Sequence, residues 1–134
     1  MGYRSDIPSL LKSIDILVMP SEREAFGMAA IEAMSMEVPI VATSVGGLTE
    51  VVVDGRTGVL VPPQDPNRIA AELKGLIQNP QRRSAMGVAG REHVLKHFSL
   101  GQNVDQIKAL YRRILAIDGA TDHGERKHLT YGRR

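Results

Sequence analysis

A chain of 134 residues with 43% hydrophobic and 24% charged content has the balance of one soluble globular domain, not of a disordered or fibrous chain. Lys plus Arg total 17 against 15 Asp plus Glu, a net charge of +2, and there is no Trp, with two Phe and three Tyr; without a basic block in the first hundred residues or an aromatic platform for bases, nucleic-acid binding is not indicated. Cysteine is absent, which excludes a disulfide framework, a thiolate metal site and a thiol nucleophile but says little about redox compartment; the cytoplasm is the expectation by default.

The N-terminal "MGYRSDIPSLL" lacks the charged-then-apolar order of a signal peptide, and no run reaches the roughly 18 apolar residues of a membrane span. Its Met-Gly start reads as part of the fold and not as a lipidation signal. Asp6 and Pro8 predict a helix start before "SLLKSI". Three short apolar runs rich in β-branched residues then read as buried strands, "IDILVMP" at 14–20, "PIVAT" at 39–43 and "GVLVPP" at 58–63. Helical patterns separate them, so they predict βα units and a parallel sheet covered on both faces.

Between the first two strands, "EAFGMAAIEAMSME" predicts a helix beginning near Gly27. "VDGRTG" at 53–58 is a tight turn. "DPNRIAAELKGLIQNP" has Asp65 as cap, Pro66 in the first turn, Ile69, Ala70, Leu73, Leu76 and Ile77 on one face, and Asn79-Pro80 as stop. "QRRSAMGVAGREHVLKHF" follows as a helix interrupted by Gly87 and Gly90. "SLGQ" at Ser99 resembles a capping box for a last helix, with Val104, Ile107, Tyr111, Ile114 and Ile117 as its stripe. From Asp118 onward the chain is polar and aperiodic, which predicts a disordered tail over 118–134 after a folded part over 1–117.

Chemistry concentrates in "PSEREAFGMAAIEAM", residues 20–34. Glu32 lies among Ala29, Ala30, Ile31, Ala33 and Met34, where no neighbouring side chain offers a counter-charge, and a buried unpaired carboxylate costs several kcal/mol. Either it points to solvent or takes hydrogen bonds from a loop, or a ligand meets it. A helix starting just past the carboxyl end of a parallel strand lies on the ligand-binding edge of an open α/β sheet. Free N–H groups around Phe26, Gly27, Met28 and Ala29 would then face a bound anion, and Gly27 allows close approach. Glu32, just over one turn in, is placed to accept two hydrogen bonds from a cis-diol such as a ribose, while Glu24 on the loop reaches another part of the same ligand. Gly46-Gly47 follow the second strand at the same edge, with Glu50 beyond, where glycine is the default turn residue.

His93 and His97 have the spacing of two zinc ligands on one helix face, but no third ligand is evident, so partly buried helix histidines are the expectation. No G-x-S-x-G elbow is present, which leaves a hydrolase reading poor.

"PSEREAFGMAAIEAM" resembles the E-x7-E signature of retaining glycosyltransferases of family 4, which have the two-domain GT-B architecture. "IDILVMPSE", "VPIVATSVGGLTEVVVDGRTGVLVPPQDP", "MGVAGREHVLKHFS" and "LYRRIL" resemble, in order, the second half of that family's C-terminal donor-binding domain, over about residues 2–117. The resemblance implies a partial Rossmann-like α/β fold with about three parallel strands flanked by helices, and a C-terminal helix. It implies transfer of a sugar from a nucleotide diphosphate sugar to an acceptor hydroxyl with retention. Glu24 would be the catalytic group at the donor sugar; Phe26, Gly27, Met28 and Ala29 would contact sugar and diphosphate; Glu32 would bind the ribose hydroxyls, and Gly46 and Gly47 would shape the pocket. No metal or other cofactor is expected, and no D-x-D motif occurs. The family's basic diphosphate-binding pair and its acceptor-holding N-terminal domain have no counterpart here, so the chain is expected to start within a domain and to be inactive alone. Its open sheet edge and the stripe of its last helix predict self-association or pairing with another chain. A non-catalytic nucleotide-sugar binding or scaffold module is the rival expectation, beside an inactive fragment. A glycosidase using Glu24 and Glu32 would need both carboxyls to flank one bond about 5 to 10 Å apart.

Overall fold

The computed structural model describes residues 6–121. Two compact units result, one ending at Phe98 and the other beginning at Ser99. The first holds a sheet of three parallel strands in the order β1 (Leu17–Met19), β2 (Ile40–Thr43), β3 (Gly58–Val61). Leu17 stands beside Ile40, and Ile40 beside Gly58. The strands sit inside the three predicted apolar runs and are shorter, because ladder pairing ends where the chain turns at Pro20, Ser44 and Pro62.

Alternation along the central strand divides the core. Ile40 and Ala42 face one layer with Met19, Ala30, Ala33, Met34, Leu48 and Val51; Val41 faces the other with Val59, Val61, Leu76 and Met86. All four residues of β2 are buried, as a strand covered on both faces requires. The first layer is built by α1 (Ile7–Lys12), α2 (Met28–Ser35) and the short α3 (Leu48–Val51). On α2 the buried positions are Ala30, Ala33 and Met34, an i, i+3, i+4 stripe whose small residues bring the helix close to the sheet.

Helix α4 (Pro66–Gln78) starts where the sequence places it, with the Asp65 carboxylate accepting from Arg68 N at 2.9 Å. Its buried stripe is narrower than expected. Leu76 is fully buried and Ile69 and Leu73 pack beside it, but Ile77 is 62% exposed and Ala70 also faces solvent. Ile77 lies on the last turn beside the fully buried Leu76 but on another side of the helix, and Arg83 Nη1 donates to the carbonyls of both residues.

Asn79-Pro80 stops α4 and also starts α5 (Pro80–His97), since the Asn79 side chain accepts from Arg82 N. Gly87 allows this helix to touch the end of α2: a Cβ there would run into the Glu37 carbonyl. Arg91 fastens the same crossing, donating to Ser35 O at 2.6 Å with its Nε 3.7 Å from the Glu37 carboxylate. The second unit contains α6 (Leu100–Thr121), which continues past the expected boundary at 117. Its Val104, Ile107, Tyr111 and Ile114 are exposed, as is Leu110. The remainder of the expected tail, 122–134, lies outside the described residues.

Candidate functional site

The carboxyl end of β1 leads through Pro20 into the loop that carries Glu24. This loop is held on the sheet edge by two bonds of one residue. The Glu24 carbonyl accepts from Gly47 N at 3.1 Å, and the Glu24 Oε1 accepts from Gly27 N at the same length. Its carboxylate is therefore half-buried and oriented, while no donor among the described residues engages Oε2. Gly46 and Gly47 make this approach possible. A Cβ on Gly46 would overlap the Glu24 carbonyl, and one on Gly47 would lie 2.5 Å from Phe26 Cα. The two glycines thus do more than turn the chain after β2; they let it lie against the Glu24 loop.

Gly27 caps α2 in the left-handed region with φ of 85°, open to glycine at no steric cost. With Gly27 N taken by Glu24, the next two N–H groups, of Met28 and Ala29, find no acceptor among the described residues. They are the open donors of a helix N-terminus and carry its partial positive charge. Met28 and Glu32 are one turn apart on the same exposed face, opposite the buried Ala30, Ala33 and Met34. Glu32 is thus solvent-exposed rather than buried among alanines, and it lines a mainly apolar cavity of about 230 Å³ with Ile7, Pro8, Leu11, Ser35 and Met36. Phe26 is 48% exposed on the loop.

One contact at this edge joins segments that no sequence pattern links. Phe98, at the end of α5, packs edge-to-face on Phe26 with ring centroids 6.4 Å apart. The pairing joins positions far apart in the chain, and the only sequence signal is that these are the two phenylalanines present. His93 and His97 do lie side by side, at 4.7 Å between centroids. Among the described residues no group of three metal-ligating side chains forms. Likewise no described helix is long and apolar enough to cross a membrane.

A parallel sheet with helices on both faces, presenting open helix N–H groups and two carboxylates at its carboxyl edge, defines an α/β protein of the kind that carries its ligand site there. Residues 1–93 match the family Glycosyl transferases group 1, and the chain belongs to that family. It is 36% identical over 118 residues to D-inositol 3-phosphate glycosyltransferase of Corynebacterium diphtheriae, covering 88% of this chain and 27% of the relative. Among solved structures it is similar to sucrose-phosphate synthase from Thermosynechococcus elongatus, with 37% identity and a TM-score of 0.75 over 81% of this chain and 27% of that one. Another is Anabaena Alr3699/HepE in complex with UDP-glucose, with 27% identity and a TM-score of 0.79 over 84% of this chain and 31% of that one. These structural neighbours are GT-B glycosyltransferases, so the sheet corresponds to part of that architecture. The chain spans about a third or less of the length of these relatives.

Proposed function

We propose that the carboxyl edge of this sheet is the donor side of a retaining sugar-transfer site of the family 4 type. The donor is a nucleotide diphosphate sugar. The observation that carries the reading is the placement of an oriented Glu24, two open N–H groups at Met28 and Ala29, and an exposed Glu32 along one loop and helix. The N–H groups and the helix dipole take the diphosphate oxygens, where negative charge grows as the bond from the anomeric carbon to the diphosphate breaks. Glu24, held by Gly27 N, presents its free oxygen to the donor sugar as positive charge develops there. Glu32 accepts from the ribose diol. Phe26 supplies an apolar wall, and Gly46 and Gly47 keep the floor low.

No metal is required in this scheme, because the helix N-terminus and basic groups from the rest of the site neutralise the leaving diphosphate. An acceptor-holding domain completes it, so the chain alone binds donor without turning it over. Association with another copy or another polypeptide through the β1 edge is the corresponding proposal for partners. The test is thermal stabilisation by a panel of UDP-, GDP- and ADP-sugars, followed by a sugar-transfer assay. Stabilisation by one nucleotide class supports the donor site. Binding without transfer even when the acceptor domain is supplied favours a non-catalytic module, and no binding to any of them removes the proposal.

A further inference from the structure

Helix α5 and the turn before β3 form a cavity of about 210 Å³ lined by Arg56, Ala89, Glu92, His93, Lys96 and His97, none of them a residue of the Glu24 loop. Four of the six carry or can carry positive charge and only Glu92 is acidic. Among the described residues no carboxylate pairs with Arg56 or Lys96, although Arg68, Arg82, Arg83 and Arg91 each find an acid partner. His93 Nε2 is buried and has no hydrogen-bond partner. An unsatisfied buried nitrogen is costly and calls for a partner that the protein itself does not supply.

We propose that this cavity is a binding site for a dianionic phosphate group, with Arg56, Lys96 and protonated His93 as its ligands. The charge pattern separates this from the other use of two histidines one helical turn apart. A divalent cation would join Arg56 and Lys96 in mutual repulsion, whereas a phosphate neutralises both; the His93 ring lines the same cavity, and a turn of its side chain brings the buried Nε2–H to the anion. The groups facing His93 are Glu92, Lys96 and His97 on its own helix and Arg56 on the turn, so the surplus is positive on both sides. Burial, then His97, Arg56 and Lys96, hold the imidazole below its ordinary pKa of 6.5 in the unliganded protein. Anion binding is therefore expected to raise it and to be tighter in acid.

The experiment follows the histidine side-chain resonances by NMR while sulfate, inorganic phosphate or glycerol 3-phosphate is added at constant ionic strength set with chloride. Sulfate keeps its charge over about pH 5 to 8, so its pH dependence reports the protein alone. The proposal expects a saturable shift at His93, a rise of its pKa, and a loss of affinity of about tenfold in Arg56→Gln and in Lys96→Gln. Arg56 and Lys96 are exposed, so these variants fold even where a change at His93 does not. Tighter binding of the ester than of inorganic phosphate identifies a metabolite's phosphate group; the reverse identifies the free ion. A linear shift equal to that of chloride overturns the proposal. So does Zn²⁺ binding at His93 and His97 that is tighter than any of the three anions.

Discussion

Glu32 lies exposed on α2 and is desolvated only when a ligand covers it. Removing it should weaken donor binding without unfolding the protein. Glu32→Ala is expected to lose about tenfold in nucleotide-sugar affinity by calorimetry, with an unchanged Tm. Glu24 differs because its carboxylate both caps the loop and faces the site. Glu24→Gln keeps an oxygen for Gly27 N and removes the charge, so Tm should hold while transfer by the complete enzyme falls roughly 100-fold or more. Glu24→Ala removes the cap as well and should cost about 1 kcal/mol of stability, read by urea denaturation. At His93 the lowered pKa gives a pH effect of defined sign. The unfolded chain takes up a proton near pH 6.5 while the folded chain resists it, so stability is full above that value and falls as pH drops through the folded pKa. Thermal unfolding across this range should show the decline, and His93→Gln should flatten it.

At the scale of elements, the most telling contact is that of α5 with α2 and the Glu37 turn. Gly87→Ala would drive a methyl into the Glu37 carbonyl, and a cost of roughly 2 to 3 kcal/mol is expected in urea denaturation. Helix α4 was readable from its residues because its signals are local: Asp65 caps it, Pro66 starts it and Asn79-Pro80 ends it. The glycines of α5 look like weaknesses in the sequence because a helix gains nothing from them locally. For Gly87 the reason is the Glu37 carbonyl of another element, which one sequence does not display, while a Cβ at Gly90 would meet only ordinary contacts. The Glu24–Gly47 and Phe26–Phe98 contacts were hidden for the same cause. The position of Glu24 and Glu32 after a parallel strand was visible, since it depends only on the order of strand, loop and helix. The exposure of Ile77 was not, because the helical period gives the direction of a face but not how wide its buried stripe is.

For the molecule as a whole, β2 is enclosed while β1 and β3 are the outer strands. The site elements all lie at the carboxyl edge, and the family relatives extend well beyond the stretch this chain matches. Among the described residues no strand pairs with the outer side of β1, and such an edge should show itself as association, so light scattering after size-exclusion chromatography is expected to give a mass above 14.6 kDa at high concentration. A strict monomer would remove that proposal and leave the donor site untouched. The donor site itself is read out by backbone NMR during addition of UDP-, GDP- and ADP-sugars. Saturable shifts confined to Glu24, Phe26 to Ala29, Glu32, Gly46 and Gly47 are expected with one nucleotide class, weakened in Glu32→Ala. Saturable shifts centred elsewhere, or none with any donor, would contradict it.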